Sequence, residues 1–362
     1  MRRLIRHLAL LCACSSSAFA DDLVFYNWND YIAPEVLTEF SQQTGIKVDY
    51  RTYSTSQELQ ALMKQGGRAD LVVPSQDTLG LLIGQNKLQP LKQAQLPNRQ
   101  HLDRELLAKL AAFDRGNRFA VPYLWGAVGM AVNQPQVEQA LGQSPADSWT
   151  LVFDPANAAK LSQCGMSLLD SDTDILNIVT NLQGRSLDRA SDRRIKRAAD
   201  LVASTRPYLR YIDSEAYIDD LNSGRLCVAV AWIGDALGAA AAGQPVRFVI
   251  PEEGSVMFID SLVIPAQAQQ VDAAHQLINY LMQPEVIARI TAETYYPNAN
   301  TASHAHLPAE MRDDPSLNLD SGLKRRLFTP ATLSEERNAM IHQLWSDMLN
   351  APLAPTAASA VQ

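Results

Sequence analysis

The chain has 362 residues, a formal charge of −8, 47% hydrophobic and 19% charged residues, and four cysteines. An acidic balance disfavours nucleic acid and anionic lipid as partners and favours a small cation. At this length one hydrophobic core is outgrown, so two domains or lobes are expected.

The chain opens with Arg2, Arg3 and Arg6, an apolar run from Leu8, and Ala18-Phe19-Ala20. That charged, apolar, small-residue order is a secretory signal over residues 1–20, cleaved after Ala20 and excluded from the fold. Its removal takes three arginines with it and leaves a formal charge of −11. Leu11-Cys12-Ala13-Cys14 can also be read as a lipoprotein signal acylated at Cys14. Both readings export the protein. No later run reaches the eighteen or so apolar residues of a membrane span.

Leu23-Val24-Phe25 is a short apolar strand and Pro34 suits a helix's first turn, so Tyr26-Asn27-Trp28-Asn29-Asp30-Tyr31 between them reads as a strand-to-helix loop. In open α/β sheets such loops hold ligands. Two rings and a carboxylate within four residues suit an organic cation. The competing assignment places Trp28 and Tyr31 in the core and makes Asp30 a helix cap. Helical spacing predicts a helix over 35–43 stopped by Gly45. A strand over 46–50, a helix over 57–64 and an apolar strand over 71–75 follow. Ser75 then opens a helix, either as a cap or as a ligand contact. Residues 89–97 read as a connecting loop and 105–112 as a helix. This alternation of strand and helix predicts a mostly parallel sheet covered on both faces.

Residues 119–133 form a long β-prone stretch broken by Gly126 and Gly129, suited to a strand that leaves one lobe for the other. A strand over 164–169 runs into Asp170-Ser171-Asp172-Thr173-Asp174, acids that a helix start favours whatever else they do. Helices over 195–202 and 217–221 precede an apolar strand over 226–231. That strand ends in Trp232-Ile233-Gly234-Asp235, a second aromatic-and-acid loop. After a strand over 246–250 and a turn over 251–254, Phe258-Ile259-Asp260 begins a strand with a third such pair, and the return crossing falls near the turn. Helices over 272–282 and 285–290 lead to the aromatic loop Tyr295-Tyr296-Pro297-Asn298. An amphipathic helix over 334–348 is last, and the Ala-, Pro-, Ser- and Thr-rich tail reads as disordered.

With Cys12 and Cys14 in the leader, Cys164 and Cys227 remain as an even pair in an oxidising compartment, which points to a disulfide; two buried free thiols are the alternative. Catalytic signatures are scarce: there is no Gly-rich phosphate loop, no H-E-x-x-H and no G-x-S-x-G. No enzyme activity, metal or cofactor is therefore expected. His304 and His306, in an Ala-rich loop-like segment, read as solvent-exposed.

The chain resembles the periplasmic solute-binding proteins of polyamine ABC transporters, closest to their putrescine-binding branch. The residues that carry the resemblance are Tyr26 to Pro34, Asp70-Leu71-Val72-Val73-Pro74-Ser75, Pro122-Tyr123-Leu124-Trp125, Trp232-Ile233-Gly234-Asp235 and Asn298-Ala299-Asn300, together with the two cysteines, in the family's order. The resemblance implies an α/β, two-lobed periplasmic-binding-protein-like (type II) fold, with mixed sheets, helices on both faces and hinge crossings. Lobe 1 would hold 21–128 plus 252–304, lobe 2 would hold 129–251 plus 305–348, and 349–362 would be tail. It implies an aromatic box at Trp28, Tyr31, Trp232, Phe258 and Tyr296, carboxylates at Asp30, Asp235 and Asp260, and a polar contact from Ser75. Two positions depart from the pattern: Asn29 replaces a usual Ser or Thr, and Asp174 stands where the putrescine binders carry Glu. The expected ligand is putrescine or a relative such as cadaverine, agmatine or spermidine, and the expected partner is an inner-membrane ABC permease. A periplasmic monomer is expected, with no nucleic-acid partner. Two rivals share the architecture: a ferric-ion binder using Tyr295 and Tyr296, and a polyamine sensor without transport.

Overall fold

The computed structural model describes residues 21–319 and 321–352. The segment 1–20 expected as a secretory leader, with Cys14, and the expected tail from 353 onward lie outside the described residues. Ten strands form one sheet: β1 Leu23–Trp28, β2 Val48–Tyr53, β3 Leu71–Val72, β4 Ala120–Asn133, β5 Met166–Leu168, β6 Tyr211–Ile212, β7 Val228–Trp232, β8 Val246–Val249, β9 Ser255–Val263 and β10 Leu327–Phe328. Their order is β2-β1-β3-β9-β4-β7-β5-β6, with β10 on β9 and β8 on β4. β1 runs parallel to β2 and β3, and β5 runs parallel to β6 and β7. The centre departs from the mostly parallel expectation. There β4 is antiparallel to β7, β8 and β9, and β3 is antiparallel to β9. These two long strands are connectors rather than members of strand-helix-strand units, so no crossover helix forces them to run parallel.

Two hydrophobic cores flank the centre. β4 leaves the first core at Ala127 and enters the second at Val128, while β9 returns between Val256 and Met257. The two crossings are ladder neighbours, with Gly126 opposite Phe258 and Ala127 opposite Met257. A third passage follows β10: Met311, Leu317, Leu319 and Leu327 belong to the first core, whereas Ile341, Trp345 and Met348 belong to the second. The final helix, Glu335–Asn350, extends into the stretch assigned to the tail.

Local chemistry explains most of the remaining boundaries. Helix Pro34–Thr44 has Pro at its start and Gly45 in the left-handed region at φ 75° as its stop. β2 lies later than the expected 46–50 because it pairs residue for residue with all of β1, which ends Trp28 opposite Tyr53. β3 shrinks to two residues because Pro74 has no N–H for a ladder, although its carbonyl accepts from Ser261 N at 3.0 Å. The stretch 89–97, expected as loop, holds the 3-10 turn Gln93–Gln95 and the first residue of a second, Pro97–His101.

Candidate functional site

A cleft of about 1040 Å³ opens beside the strand crossings, and all eleven residues picked from sequence line it: Trp28, Asn29, Asp30, Tyr31, Ser75, Asp174, Trp232, Asp235, Phe258, Asp260 and Tyr296. Trp28 ends β1 and the next three follow it, Ser75 follows β3, and Trp232 ends β7 with Asp235 in the first turn of the helix Ile233–Ala241 after it. These are the carboxyl ends of strands, where side chains from several loops converge.

Buried Asn27 shapes the opening loop. Its Oδ1 accepts from Trp28 N at 2.9 Å and its Nδ2 donates to the Tyr31 carbonyl at 3.2 Å; the Tyr123 hydroxyl donates to the same carbonyl at 2.9 Å. Between these anchors Asp30 takes a left-handed φ of 50°, a conformation that Asp tolerates better than most side chains. The chain thereby turns sharply into the helix and keeps Trp28 and Tyr31 on the cleft. Asn29 reaches over it, donating to Ser54 Oγ at 2.7 Å and to Glu215 Oε1 at 3.1 Å, while Ser54 Oγ also donates to Glu215 at 2.8 Å.

The rings lie against one another. Trp28 rests on Tyr53 with centroids 4.6 Å apart, and Tyr31 meets Tyr296 edge-on at 4.9 Å, with Phe258 beyond at 6.0 Å. Two glycines make room for this box. A Cβ at Gly126 would lie 2.6 Å from Phe258 Cζ, and one at Gly234 would lie 2.3 Å from Tyr296 Cε2. Tyr296 is steered by its loop, which joins β4 at the irregularity after Pro122: Trp125 N donates to the Pro297 carbonyl at 2.9 Å and Ala299 N to the Tyr123 carbonyl at 3.1 Å.

Among these rings sit carboxylates held by hydroxyls. Asp260, 4% exposed, accepts from the Tyr31 hydroxyl at 2.8 Å and from Ser75 Oγ at 2.5 Å. Ser75 thus stands at the cap position of helix Gln76–Gly84 but spends its hydroxyl on Asp260, with no capping bond. Asp235 accepts from the Tyr217 hydroxyl and from the Tyr296 hydroxyl, the latter at 3.2 Å, and Asp174 accepts from Ser171 Oγ at 2.9 Å. Burial pushes the Asp260 carboxyl up to about 7, against the pull of its two hydroxyl donors, with repulsion from Asp77 and Asp174 adding to the rise. Burial likewise lifts Asp235 to about 6, with repulsion from Asp30 adding, and Asp174 to about 6, with repulsion from Asp77 and Asp172 adding. Among the described residues no lysine or arginine lines the cleft or forms an ion pair with these three acids.

Sequence reading passed over several cleft residues. Tyr53 was hidden by the misplaced end of β2; Tyr217, which does not itself line the cleft but donates to Asp235, was hidden by its helical spacing, which reads as core. Asp77 is two residues past Ser75 in the same helix start, and Glu215 follows no motif. Of the tyrosine pair that would bind ferric ion, Tyr295 caps helix Pro284–Thr294 at φ 58° and does not line the cleft. Tyr296 donates to Asp235, and burial holds its hydroxyl well above the usual phenol range, which disfavours a phenolate. The pair does not converge. His304 and His306 are exposed in the 3-10 helix Thr301–His306. Cys164 and Cys227 form a disulfide, with Cα atoms 5.5 Å apart.

Comparison with known proteins agrees with this architecture. Residues 35–318 match the family described as bacterial extracellular solute-binding protein. The putrescine-binding periplasmic protein PotF of Escherichia coli is 38% identical over 85% of this chain and 85% of its own length. The putrescine-binding periplasmic protein SpuD of Pseudomonas aeruginosa is 36% identical over 89% of this chain and 90% of its own. The crystal structure of the spermidine/putrescine ABC transporter substrate-binding protein PotD from Streptococcus pneumoniae superposes with a TM-score of 0.75 at 25% identity, covering 91% of this chain and 98% of that one. With a matched family model across most of its length and relatives above one-third identity over nearly all of it, the chain belongs to the bacterial extracellular solute-binding protein family.

Proposed function

We propose that this protein is a periplasmic receptor that captures a polyamine, putrescine or a near relative such as cadaverine, agmatine or spermidine, and delivers it as a monomer to an inner-membrane ABC permease. One observation carries the reading: Asp174, Asp235 and Asp260 are set among aromatic rings and hydroxyl donors in a cleft where, among the described residues, no lysine or arginine neutralises them. Carboxylates withdrawn from water need a cationic partner, and a diamine supplies one ammonium for each end and methylenes for the rings between. Asp30 and Asp235 would face one ammonium, and Asp174 and Asp260 the other. The lobes follow the two cores, with crossings at 127/128 and 256/257; residues 305–319 and 321–327 then go with lobe 1, and 335–350 with lobe 2. Binding rather than catalysis is the task, since the relatives are named as binding proteins. The Cys164–Cys227 disulfide suits an oxidising compartment. Among the described residues no helix is long and apolar enough to cross a membrane.

Titration calorimetry and tryptophan fluorescence with putrescine, cadaverine, agmatine and spermidine, and ferric citrate as the rival, test the reading. Micromolar binding of an amine, near 8 kcal/mol, with a change in Trp28 and Trp232 emission supports it. No amine binding, or a tyrosinate absorption band with ferric citrate, overturns it.

A further inference from the structure

Asn29 and Ser54 follow β1 and β2 on the first core, and Glu215 stands at the start of helix Ala216–Asn222 on the second; all three line the cleft. Asn29 Nδ2 divides its two hydrogens between Ser54 Oγ and Glu215 Oε1, and the Ser54 hydroxyl donates to the same Glu215 oxygen. The triangle joins segments 186 and 161 residues apart in the chain. Among the described residues no lysine, arginine or histidine forms an ion pair with Glu215. Its charge is met by the two neutral donors across the cleft.

None of the three side chains is needed by its own element. The start of helix Ala216–Asn222 is held by Asp213, whose Oδ1 accepts from Glu215 N and Ala216 N, both at 2.7 Å, and the Glu215 side chain makes no capping bond. Ser54 precedes helix Ser56–Gln65, where Thr55 Oγ1 accepts from Glu58 N at 3.2 Å and Glu58 Oε2 accepts from Ser54 N at 2.8 Å. That reciprocal cap fixes the Ser54 backbone and leaves its hydroxyl to reach across. The loop of Asn29 is shaped by Asn27 instead. The helix that begins at Glu215 also supports the ligand site: Tyr217, fully buried, donates to Asp235 and meets Trp232 edge-on at 6.5 Å. One helix start thus holds a site carboxylate on its inner side and the opposite rim on its outer side.

Resting on the polyamine reading, we propose that Glu215 is a positioning residue that clasps Asn29 and Ser54 when the lobes close, setting how long a polyamine is retained rather than which one is recognised. A charged acceptor strengthens both bonds, and contacts completed only on closure act on dissociation more than on encounter. Two other roles for a rim acid make different demands. An acid that steers cations toward the cleft acts on association, and its effect fades with salt. An acid that touches an ammonium discriminates among amines of different length.

The experiment is stopped-flow tryptophan fluorescence of the full mature chain with putrescine, cadaverine and spermidine, on wild type, Glu215→Ala, Glu215→Gln and Ser54→Ala. The proposal expects Glu215→Ala to speed dissociation about five- to tenfold for every amine, the effect of two lost hydrogen bonds. Association should stay within about twofold. Glu215→Gln keeps an acceptor oxygen and should fall between wild type and Glu215→Ala. Ser54→Ala added to Glu215→Ala should change little further, since the two residues share one contact. Unchanged dissociation, a slowed association that salt abolishes, or a loss confined to one amine overturns the clasp and leaves the polyamine reading standing. A wild type that binds none of the amines overturns both. If Glu215→Ala fails to fold, Glu215→Gln and Ser54→Ala still decide.

Discussion

Ser75 Oγ donates to Asp260 Oδ1 at 2.5 Å, joining the end of β3 to the middle of β9 across 185 residues of chain. With the Tyr31 hydroxyl on the other oxygen, both of its carboxylate oxygens are engaged by neutral donors. Hydroxyl donors stabilise the anion without neutralising it, which is why burial still wins and the carboxyl stays near 7.

Amine binding should therefore be proton-linked. An ammonium needs the ionised carboxyl, so ligand displaces protons from Asp260, Asp235 and Asp174 wherever they are held. Affinity is expected to be flat above about pH 8 and to weaken as pH falls through 7 and 6, the window set by their raised values. The slope approaches about tenfold per pH unit for each proton displaced. Calorimetry in buffers of differing ionisation enthalpy would read the proton release directly.

The unliganded protein should move the opposite way. A carboxyl whose folded value is raised contributes stability below its unfolded value and loses it as pH rises through the folded value. For Asp260 that window runs from about pH 4 to about pH 7. Wild-type Tm without ligand should then fall, relative to Asp260→Asn, across this range, and saturating amine should remove the difference. Thermal melts of both proteins at half-unit pH steps make the comparison.

Asp235→Asn should weaken diamine binding by about 2–5 kcal/mol, the cost of breaking a desolvated charge pair. Because the amide can accept from one of the Tyr217 and Tyr296 hydroxyls through its oxygen and donate to the other through its nitrogen, unliganded Tm should be held or slightly raised. Calorimetry and a melt on the same preparation separate this outcome from simple misfolding.

Gly234→Ala and Gly238→Ala make a matched pair one helical turn apart. A Cβ at 234 drives into the Tyr296 ring at 2.3 Å, whereas one at 238 meets Tyr295 Cδ2 at an ordinary 3.7 Å. The first change should cost about 1–3 kcal/mol through overpacking and displace a site ring. The second should be neutral or stabilise the helix by up to about 1 kcal/mol. Denaturant melts and amine titrations of the two variants provide the contrast.

Cys164→Ala with Cys227→Ala should lower stability by about 4 kcal/mol, the chain-entropy value for so long a loop, since 63 residues separate the two cysteines. Neither cysteine lines the cleft, so amine affinity should persist wherever the protein stays folded. Urea titrations with and without reductant test both halves of this expectation.

Much of this site was legible because its residues cluster at strand ends in short aromatic-and-acid loops, and loops after strands are found by periodicity alone. Trp28, Asp30, Trp232 and Asp235 were visible in that way. What periodicity misses is pairing: β2 slides to residues 48–53 because its partner strand sets its length, and Tyr53 arrives at the cleft with it. Burial is equally hidden, since Asp172, buried at 6% exposure, looks like any acid at a helix start. Antiparallel crossings were also invisible, because an alternating order of elements says nothing about a strand that serves as a connector.

Those crossings also determine how the molecule can move. Two strands hydrogen-bonded side by side form a leaf spring: it resists shear along the strands and twist about their length, and it bends most easily about an axis lying in the sheet and across both strands. For β4 and β9 that axis passes through 127/128 and 256/257, with Val256 and Phe258 on the floor of the cleft. Flexing there spreads the cleft mouth while the ladder between Gly126 and Phe258 stays intact. The bonds from Asn29 and Ser54 to Glu215 must part first, and these lie at the rim, where leverage is greatest.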